Sequence, residues 1–417
     1  MKKLILAALI AGTFAGATMA KSLSFKDFDK RARAGEKLTV AFFGASLTRG
    51  ANATDQSTTS YRAVMARHFQ AKYPKAHFTF IDGAIGGTGS DLGVFRLQRD
   101  CLAHTPDLVF LDFSANDDIY NGDTPKLERY ESLVRRILTE GKCPVVVMIF
   151  PFEWNAKPGT ADEMAGRLNH IGIAKGYNLP VGDAIVLVQE KVAKDEGEVR
   201  KIWDLDGVHP GDYGYQVFAE AGWMAFEKAV KDKMTCIVPT EMMYAPSYMT
   251  WSRNELTKIP NRPAGWYEAM PSRVAAWHDG LMSRWLSNVL VTSTKVTKVN
   301  EEGKKVKVDN PECNTPLVVK FKGTSVLVFG EETVKGGTYV AKIDGEVVED
   351  SWSKAKEFST SSAKMGGGRQ YYKTHATGLD PEQVHTLEII PQLDMEKDEE
   401  LRLESICIAG GEAKLVE

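Results

Sequence analysis

The chain has 417 residues, which is enough for two or three domains. Its 52 basic residues are outnumbered by 55 acidic ones, so it lacks the basic field that nucleic-acid binding requires. The five cysteines are scattered and none forms a Cys-x-x-Cys pair, which indicates neither a zinc site nor a fold built on disulfides. The sequence predicts no metal or other cofactor and leaves the oligomeric state open.

Residues 1–20 have the pattern of a secretory signal peptide. Lys2 and Lys3 precede the apolar run Leu4–Ala17, and the small-residue cleavage site Thr18-Met19-Ala20 follows it. The run is too short for a membrane-spanning helix, which needs about 20 apolar residues. The pattern predicts an exported protein, periplasmic or extracellular, that does not insert into a membrane. A retained amphipathic anchor is the alternative.

Residues 21–236 alternate between predicted strands and predicted helices. The strands are apolar runs at Leu38–Phe43, Phe78–Asp82, Leu108–Phe113, Val145–Ile149 and Leu179–Val188. The helices are Ser60–Tyr73, Leu92–Ala103, Pro125–Glu140, Ala161–Lys175 and Tyr213–Val230. Near-continuous apolar strands are typical of a parallel sheet that is covered on both faces. We therefore predict a three-layer, doubly wound α/β domain.

Residues 237–290 form a predicted connecting segment that is rich in aromatic side chains. Four of the eight tryptophans lie here, at Trp251, Trp266, Trp277 and Trp285. One interpretation is that they pack a second domain onto the first, and we favour it because buried aromatic side chains dominate core energetics. The other is a platform for sugar rings.

Residues 291–417 have the short, turn-punctuated strands of a predicted β-sandwich domain. Asp344-Gly345 is a strong hairpin signal. The main predicted strands are Leu317–Phe321, Ser325–Phe329, Tyr339–Ile343, Glu346–Val348, His385–Ile390 and Leu401–Ile408.

Ser46 lies three residues after the end of the first predicted strand, with Gly44 and Ala45 between them. A serine at the carboxyl end of a strand in an open α/β sheet lies where such sheets bind ligands. Its hydroxyl becomes a useful nucleophile when a base lies within hydrogen-bond reach. The alternative is that Ser46 only caps the following helix.

His209 is the candidate base, in the loop before the last predicted helix of the α/β domain. Asp206 lies three residues earlier in the same loop. From there its carboxylate can accept the Nδ1 proton of His209 and leave Nε2 facing the serine. The alternative is that the pair only shapes the loop.

Gly87 and Asn116 follow the second and third predicted strands. Glycine lets a backbone N–H approach an oxyanion closely, and an asparagine amide can donate to the same oxyanion. The alternatives are an ordinary tight turn at Gly87 and an N-cap or Asx-turn at Asn116. Because all these positions lie at carboxyl ends of strands or before the last helix, one crevice can gather them.

These blocks resemble those of the SGNH/GDSL hydrolases, named for serine, glycine, asparagine and histidine. Gly44–Thr48, Ala84–Gly87, Ser114–Asp117 and Asp206–Pro210 follow the family's order. The resemblance implies a flavodoxin-like α/β/α fold and esterase activity without a metal. It also implies an oxyanion hole built from the amides of Ser46 and Gly87 and the side chain of Asn116.

Two positions depart from the usual motifs of that family. Ala45 replaces the usual acid of the first block, and Ser114 replaces the usual glycine of the third. Neither change removes a reacting atom, and both favour the secreted carbohydrate-esterase branch. We therefore predict a secreted serine esterase that removes acyl groups, O-acetyl above all, from carbohydrate. A lipase or general acylhydrolase is one alternative, and a non-catalytic carbohydrate-binding or surface protein is another.

Overall fold

The computed structural model describes residues 21–122, 124–272, 275–276, 280–281, 284–351, 353–365 and 367–416. The predicted signal peptide and Trp277 lie outside these ranges. Within them, no helix combines the length and the apolar character needed to cross a membrane.

The amino-terminal part is an α/β domain with one five-stranded sheet. Its strands are β1 (Lys37–Phe43), β2 (His77–Asp82), β3 (Leu108–Leu111), β4 (Val145–Ile149) and β5 (Val181–Asp183). Its helices are α1 (Phe25–Arg33), α2 (Ser46–Arg49), α3 (Tyr61–Lys72), α4 (Ser90–Asp100), α5 (Thr124–Arg136), α6 (Ala165–Gly176), α7 (Ala184–Lys194), α8 (Glu198–Ile202) and α9 (Asp212–Lys231).

The strand order of this sheet is β2-β1-β3-β4-β5, and all neighbouring strands are parallel. Every residue of β3 and β4 is buried, because the sheet is covered on both faces. The predicted doubly wound α/β class is confirmed. In a sheet of this order the chain leaves β1 and β3 in opposite directions, and ligands bind at the carboxyl ends of the strands at that switch point.

One predicted strand, Leu179–Val188, is wrong beyond its first half. The strand ends at Asp183, and α7 begins at Ala184. The Asp183 side chain accepts a hydrogen bond from the N–H of Val186 and so caps the helix. A short apolar run cannot distinguish a buried strand from the buried face of a helix.

The carboxyl-terminal part is antiparallel and is called the β-domain here. Its strands are β6 (Trp251–Glu255), β7 (Trp266–Ala269), β8 (Ala275–Ala276), β9 (Gly280–Leu281), β10 (Val289–Ser293), β11 (Lys295–Val299), β12 (Lys305–Asp309), β13 (Leu317–Lys322), β14 (Ser325–Glu332), β15 (Thr338–Ile343), β16 (Glu346–Val347), β17 (Glu357–Ser359), β18 (Arg369–Ala376), β19 (His385–Pro391), β20 (Glu400–Ala409) and β21 (Lys414–Val416).

Two six-stranded sheets of the β-domain pack face to face. One has the order β18-β14-β20-β10-β7 with β6 on β20, and the other has β16-β15-β19-β13-β21 with β17 on β15. Their apolar side chains share one core, to which β14 contributes Val328 and β19 contributes Leu387. The predicted β-sandwich is therefore present. It also draws two strands, β6 and β7, from the predicted connecting segment.

The two domains share a continuous apolar contact. Leu327 and Phe329 of β14 and Cys407 of β20 belong to the same buried cluster as the core of the α/β domain. Trp285, from the aromatic segment, is 3% exposed. Strand β18 pairs with β14, so this packing brings β18 against the α/β domain.

Candidate active site

Ser46 is the first residue of the short helix α2, which begins directly after β1. The turn before it is tight: a Cβ on Gly44 would lie 2.3 Å from the Thr48 Oγ1 and 2.5 Å from the Asp112 carbonyl oxygen. Only glycine fits such a close approach. The turn places Ser46 at the carboxyl end of β1 with its side chain largely buried.

His209 contacts Ser46 directly. The Nε2 atom of His209 lies 3.1 Å from the Ser46 Oγ, within hydrogen-bond range. The ring comes from the loop before α9 and is 9% exposed. Burial lowers the pKa of His209 below its ordinary value of 6.5, although the Asp206 carboxylate acts in the opposite direction. The imidazole is therefore neutral near pH 7 and able to accept a proton from the hydroxyl.

Asp206 supports His209 mainly through the backbone. Its Oδ1 accepts hydrogen bonds from the N–H groups of Val208 and His209, each at 2.7 Å. Its Oδ2 accepts one from the Asn52 side chain at 2.7 Å and lies 3.5 Å from the His209 Nδ1. Burial raises the pKa of Asp206, but these hydrogen bonds lower it by more. The pKa of Asp206 is therefore below its ordinary value.

A buried carboxyl group lies under the Ser46 turn. Asp112, directly after β3, accepts hydrogen bonds from the Thr48 hydroxyl at 2.8 Å and from the backbone of Ala45. Burial raises the pKa of Asp112 to about 7. Asp112 was not among the site residues predicted from the sequence, although its position between a buried strand and Asn116 marks the same sheet edge.

The loop of residues 83–89, called the Gly87 loop here, follows β2 and lies beside the Ser46 turn. The Ile85 N–H donates to the Gly44 carbonyl oxygen at 3.2 Å. Gly87 has a φ of +69°, a left-handed conformation that favours glycine. The buried Arg96 guanidinium donates to the carbonyl oxygens of both Gly83 and Gly44, and so ties the ends of β1 and β2 together.

Asn116 lies in the turn after β3, half-buried, with its N–H bonded to the Phe113 carbonyl oxygen. The next residue, Asp117, accepts a hydrogen bond from the Ser90 N–H at 2.8 Å. Because Ser90 begins α4 directly after the Gly87 loop, this bond joins the second and third motif blocks. The structure thus brings Ser46, His209 and Asp206 into contact and holds Gly87 and Asn116 on the two loops adjoining them.

Three exposed apolar side chains, Tyr120, Trp154 and Leu205, lie in or near the loop of residues 204–211, called the His209 loop here, and were not predicted from the sequence. The exposed fractions of these residues are 42%, 54% and 72%. The Tyr120 hydroxyl donates to the Trp154 carbonyl oxygen. The N–H of Glu153 donates to the Gly207 carbonyl oxygen in the His209 loop. A tryptophan five residues after the apolar run of β4 was the available signal.

Part of the chain is similar in sequence to a known family. The sequence profile of the GDSL-like lipase/acylhydrolase family matches residues 42–217. No curated protein matches the chain.

Solved structures resemble the chain over different shares of its length. A two-domain esterase active on acetylated mannans is 23% identical, with 93% of this chain and 95% of that chain covered and a TM-score of 0.71. Its structure co-crystallized with mannopentaose is 22% identical, with the same coverage and a TM-score of 0.69. An acetylxylan esterase from Geobacillus stearothermophilus is 23% identical, with 45% of this chain and 94% of that chain covered and a TM-score of 0.37. The first likeness shows a fold shared across both domains.

Proposed function

We propose that the chain is a carboxylic ester hydrolase that removes O-acetyl groups from carbohydrate, with Ser46 as the nucleophile. The match of residues 42–217 to the profile of the GDSL-like lipase/acylhydrolase family supports ester hydrolysis. The observation that carries the mechanism is the 3.1 Å contact between the Ser46 Oγ and the His209 Nε2. A serine hydroxyl needs such a neighbouring base in order to attack an ester.

The reaction proceeds in two steps. The Ser46 Oγ attacks the acyl carbonyl carbon while the His209 Nε2 accepts the hydroxyl proton, and His209 then gives that proton to the departing sugar hydroxyl. Water, activated by the same imidazole, attacks the acyl-enzyme and releases the acid. Asp206 stabilises the imidazolium through charge and holds the ring through the backbone bonds of its loop.

The oxyanion of each tetrahedral intermediate accepts hydrogen bonds from the N–H groups of Ser46 and Gly87 and from the Asn116 amide. The Ser46 N–H lies at the start of α2, whose first amides have no partner within the helix. Support for Gly87 and Asn116 comes from the bonds that join their loops to the Ser46 turn and to each other. Donors fixed in advance stabilise the developing charge without reorganisation.

Two observations support a carbohydrate as the acyl carrier. The structure with a TM-score of 0.71 belongs to an esterase active on acetylated mannans. The exposed Trp154 ring lies in the loop that contacts the His209 loop, and an aromatic ring presents a flat apolar face beside a polar site. We propose that this ring stacks on a sugar next to the acetylated one.

We further propose that the protein is exported and that residues 1–20 are removed. The proposal depends on the charged start, apolar run and small-residue site of that segment. Mass spectrometry of the protein recovered outside the cytoplasm should give an amino terminus at Lys21. An intact Met1 in that fraction would contradict the proposal.

The mechanism is tested by Ser46→Ala and Asn116→Ala on an aryl acetate. Ser46→Ala should reduce the rate to near background, and Asn116→Ala should lower kcat by roughly 10²–10³, the usual cost of losing one oxyanion donor. Thr105→Ala, remote from the site, is the control. Substantial activity in a folded Ser46→Ala protein would show that the mechanism is wrong.

The substrate is tested by acetate release from acetylated mannan and xylan oligosaccharides, compared with short- and long-chain aryl esters. We expect activity on the glycans and on aryl acetate, and little on long acyl chains. Trp154→Ala should raise KM for the glycans and leave aryl acetate hydrolysis unchanged, because only the glycans reach the ring. Preference for long chains would favour the lipase alternative and leave the serine mechanism standing.

A further inference from the structure

Strand β18 of the β-domain contacts the Gly87 loop at two successive peptide groups. The Gln370 side-chain amide donates a hydrogen bond to the Gly86 carbonyl oxygen. The Tyr372 hydroxyl donates to the Gly87 carbonyl oxygen at 3.1 Å. The two side chains lie two residues apart on one strand and therefore point to the same face of its sheet.

The first of these bonds involves the peptide group that joins Gly86 to Gly87. The carbonyl of Gly86 and the N–H of Gly87 belong to one planar trans unit, so they point in opposite directions. A donor that fixes the carbonyl therefore also fixes the direction of the N–H. That N–H is the one assigned above to the oxyanion.

We propose that Gln370 and Tyr372 are positioning residues for catalysis, through which the β-domain orients the oxyanion donor at Gly87. The inference rests on the proposed function, because it needs Gly87 to act as an oxyanion donor. It goes beyond that function by giving the β-domain a direct part in the chemical step.

The composition of the loop explains why outside support is needed. Residues 83–89 include four glycines, Gly83, Gly86, Gly87 and Gly89, and glycine has the widest choice of backbone conformations. The φ of +69° at Gly87 is one of several conformations open to this residue. A bond on each side of Gly87 selects one of them before the substrate binds.

A second effect of the Gln370 bond is electronic. Hydrogen bonding to a peptide carbonyl polarises the amide and strengthens its N–H as a donor. Gln370 is 8% exposed, so water competes little for this bond. Burial, followed by the charges of Asp91 and Asp117, raises the pKa of Tyr372 well above its ordinary value, so its hydroxyl keeps the proton that it donates.

The test uses the full-length protein with Gln370→Ala, Gln370→Glu and Tyr372→Phe. Gln370→Ala should lower kcat for aryl acetate about tenfold with KM unchanged, less than the full loss of an oxyanion donor. Gln370→Glu should be slower still, because a carboxylate cannot donate to the Gly86 carbonyl and brings negative charge towards the oxyanion. Tyr372→Phe removes one hydroxyl and should cost less than Gln370→Ala.

Matched controls separate positioning from folding. Gln383→Ala removes an amide that donates to Asp380 in an exposed turn of the β-domain. Tyr267→Phe removes a hydroxyl bonded to Ser293, and both variants should keep the original kcat. Binding of an arylboronic acid, which forms a tetrahedral adduct on the serine, should weaken in parallel with kcat in the Gln370 variants.

The outcomes are distinguishable. An unchanged kcat in folded Gln370→Ala and Gln370→Glu would overturn the inference. It would also be overturned if the fall in rate were fully explained by a smaller fraction of enzyme molecules with a functional active site. If Ser46→Ala is inactive while the Gln370 variants are normal, the proposed function stands and only the positioning role fails. If Ser46→Ala retains activity, the proposed function itself fails.

Discussion

The two loops that flank Ser46 are held in different ways. The His209 loop, residues 204–211, is held by partners within the α/β domain: the Asp206 carboxylate accepts hydrogen bonds from the N–H groups of Val208 and His209, and the Asn52 amide donates to that carboxylate. The Gly87 loop also has partners in the β-domain. Its carbonyl groups bond to Gln370 and Tyr372, which lie 284 and 285 positions from their partners.

This difference separates two parts of catalysis. The His209 loop bonds to partners in the α/β domain, whereas the Gly87 loop bonds also to the β-domain. From the positioning role proposed for Gln370 and Tyr372, we expect the β-domain to be coupled to the oxyanion side of the site and not to the proton-transfer side. Mutations on the two sides should act independently, since groups without shared partners have nearly additive effects.

The largest expected effect comes from His209→Ala. It should lower kcat by roughly 10⁴–10⁶, because serine and its base act as one unit. Adding Ser46→Ala should cause no further loss. Adding Gln370→Ala should lower the residual rate again about tenfold, because the oxyanion hole still acts when the base is gone. Steady-state rates on aryl acetate measure all three.

One result for the double variant His209→Ala/Gln370→Ala would contradict the separation of the two sides. If Gln370→Ala had no effect in the His209→Ala background but did in the original protein, the two loops would share one function. The β-domain would then influence proton transfer as well, and the separation between the two sides would be wrong.

The same contrast explains what the sequence could predict. The grouping of Ser46, Asp206 and His209 could be predicted because strand ends, short spacing and loop position are local features of the sequence. The placement of Asn116 and Gly87 on neighbouring loops followed from the strand pattern. The contacts of Gln370 and Trp154 could not be predicted, because an amide in a β-strand and an aromatic ring after a strand have common structural roles. Their significance depends on which domain surface or loop they contact.

The prediction of strands and helices met a similar ambiguity, because the role of a short segment depends on what it contacts. The apolar run after Leu179 serves first as a strand and then as a buried helix face, and Asp183, which caps the helix, is the only mark of the boundary. Strands β6 and β7 were missed because they are only five and four residues long. Such short segments show no clear alternation of apolar and polar residues.

A smaller effect is expected from Asp206→Asn, which tests the local side of the comparison. We expect kcat to fall by about 10², less than the roughly 10⁴ known for a buried triad aspartate, because the Nδ1–Oδ2 distance here is 3.5 Å. The pH profile is the second measurement. Since Asp206 raises the pKa of His209, its removal should move the acid limb of kcat/KM to lower pH.

The sign follows from the form of His209 that reacts. Its neutral imidazole accepts the proton, so kcat/KM rises with pH through the pKa of His209, which lies below 6.5 in the original protein. Asp204→Asn, whose carboxylate lies against Gly211, is the matched control and should leave the limb in place. A lower kcat with an unmoved acid limb would mean that Asp206 acts only by shaping the loop.

The smallest expected effect concerns the Ser46 turn, which both loops contact. The pKa of Asp112 is about 7 in the folded protein against an ordinary value of 3.8. Between these values the folded state keeps a proton that the unfolded state loses, so the free energy of unfolding decreases as pH rises from about 4 to about 7.

Asp112→Asn should remove this part of the pH dependence. The amide oxygen of asparagine can still accept from Thr48 and Ala45, so the turn and kcat should change little, while the unfolding midpoint should fall less between pH 4 and 7. Asp55→Asn is the control, because hydrogen bonds hold the pKa of this exposed carboxyl below 3.8, outside that window. Denaturant titrations at several pH values measure the slopes. Equal slopes in the original protein and Asp112→Asn would mean that Asp112 is ionised in the folded state and that the Ser46 turn tolerates a buried charge.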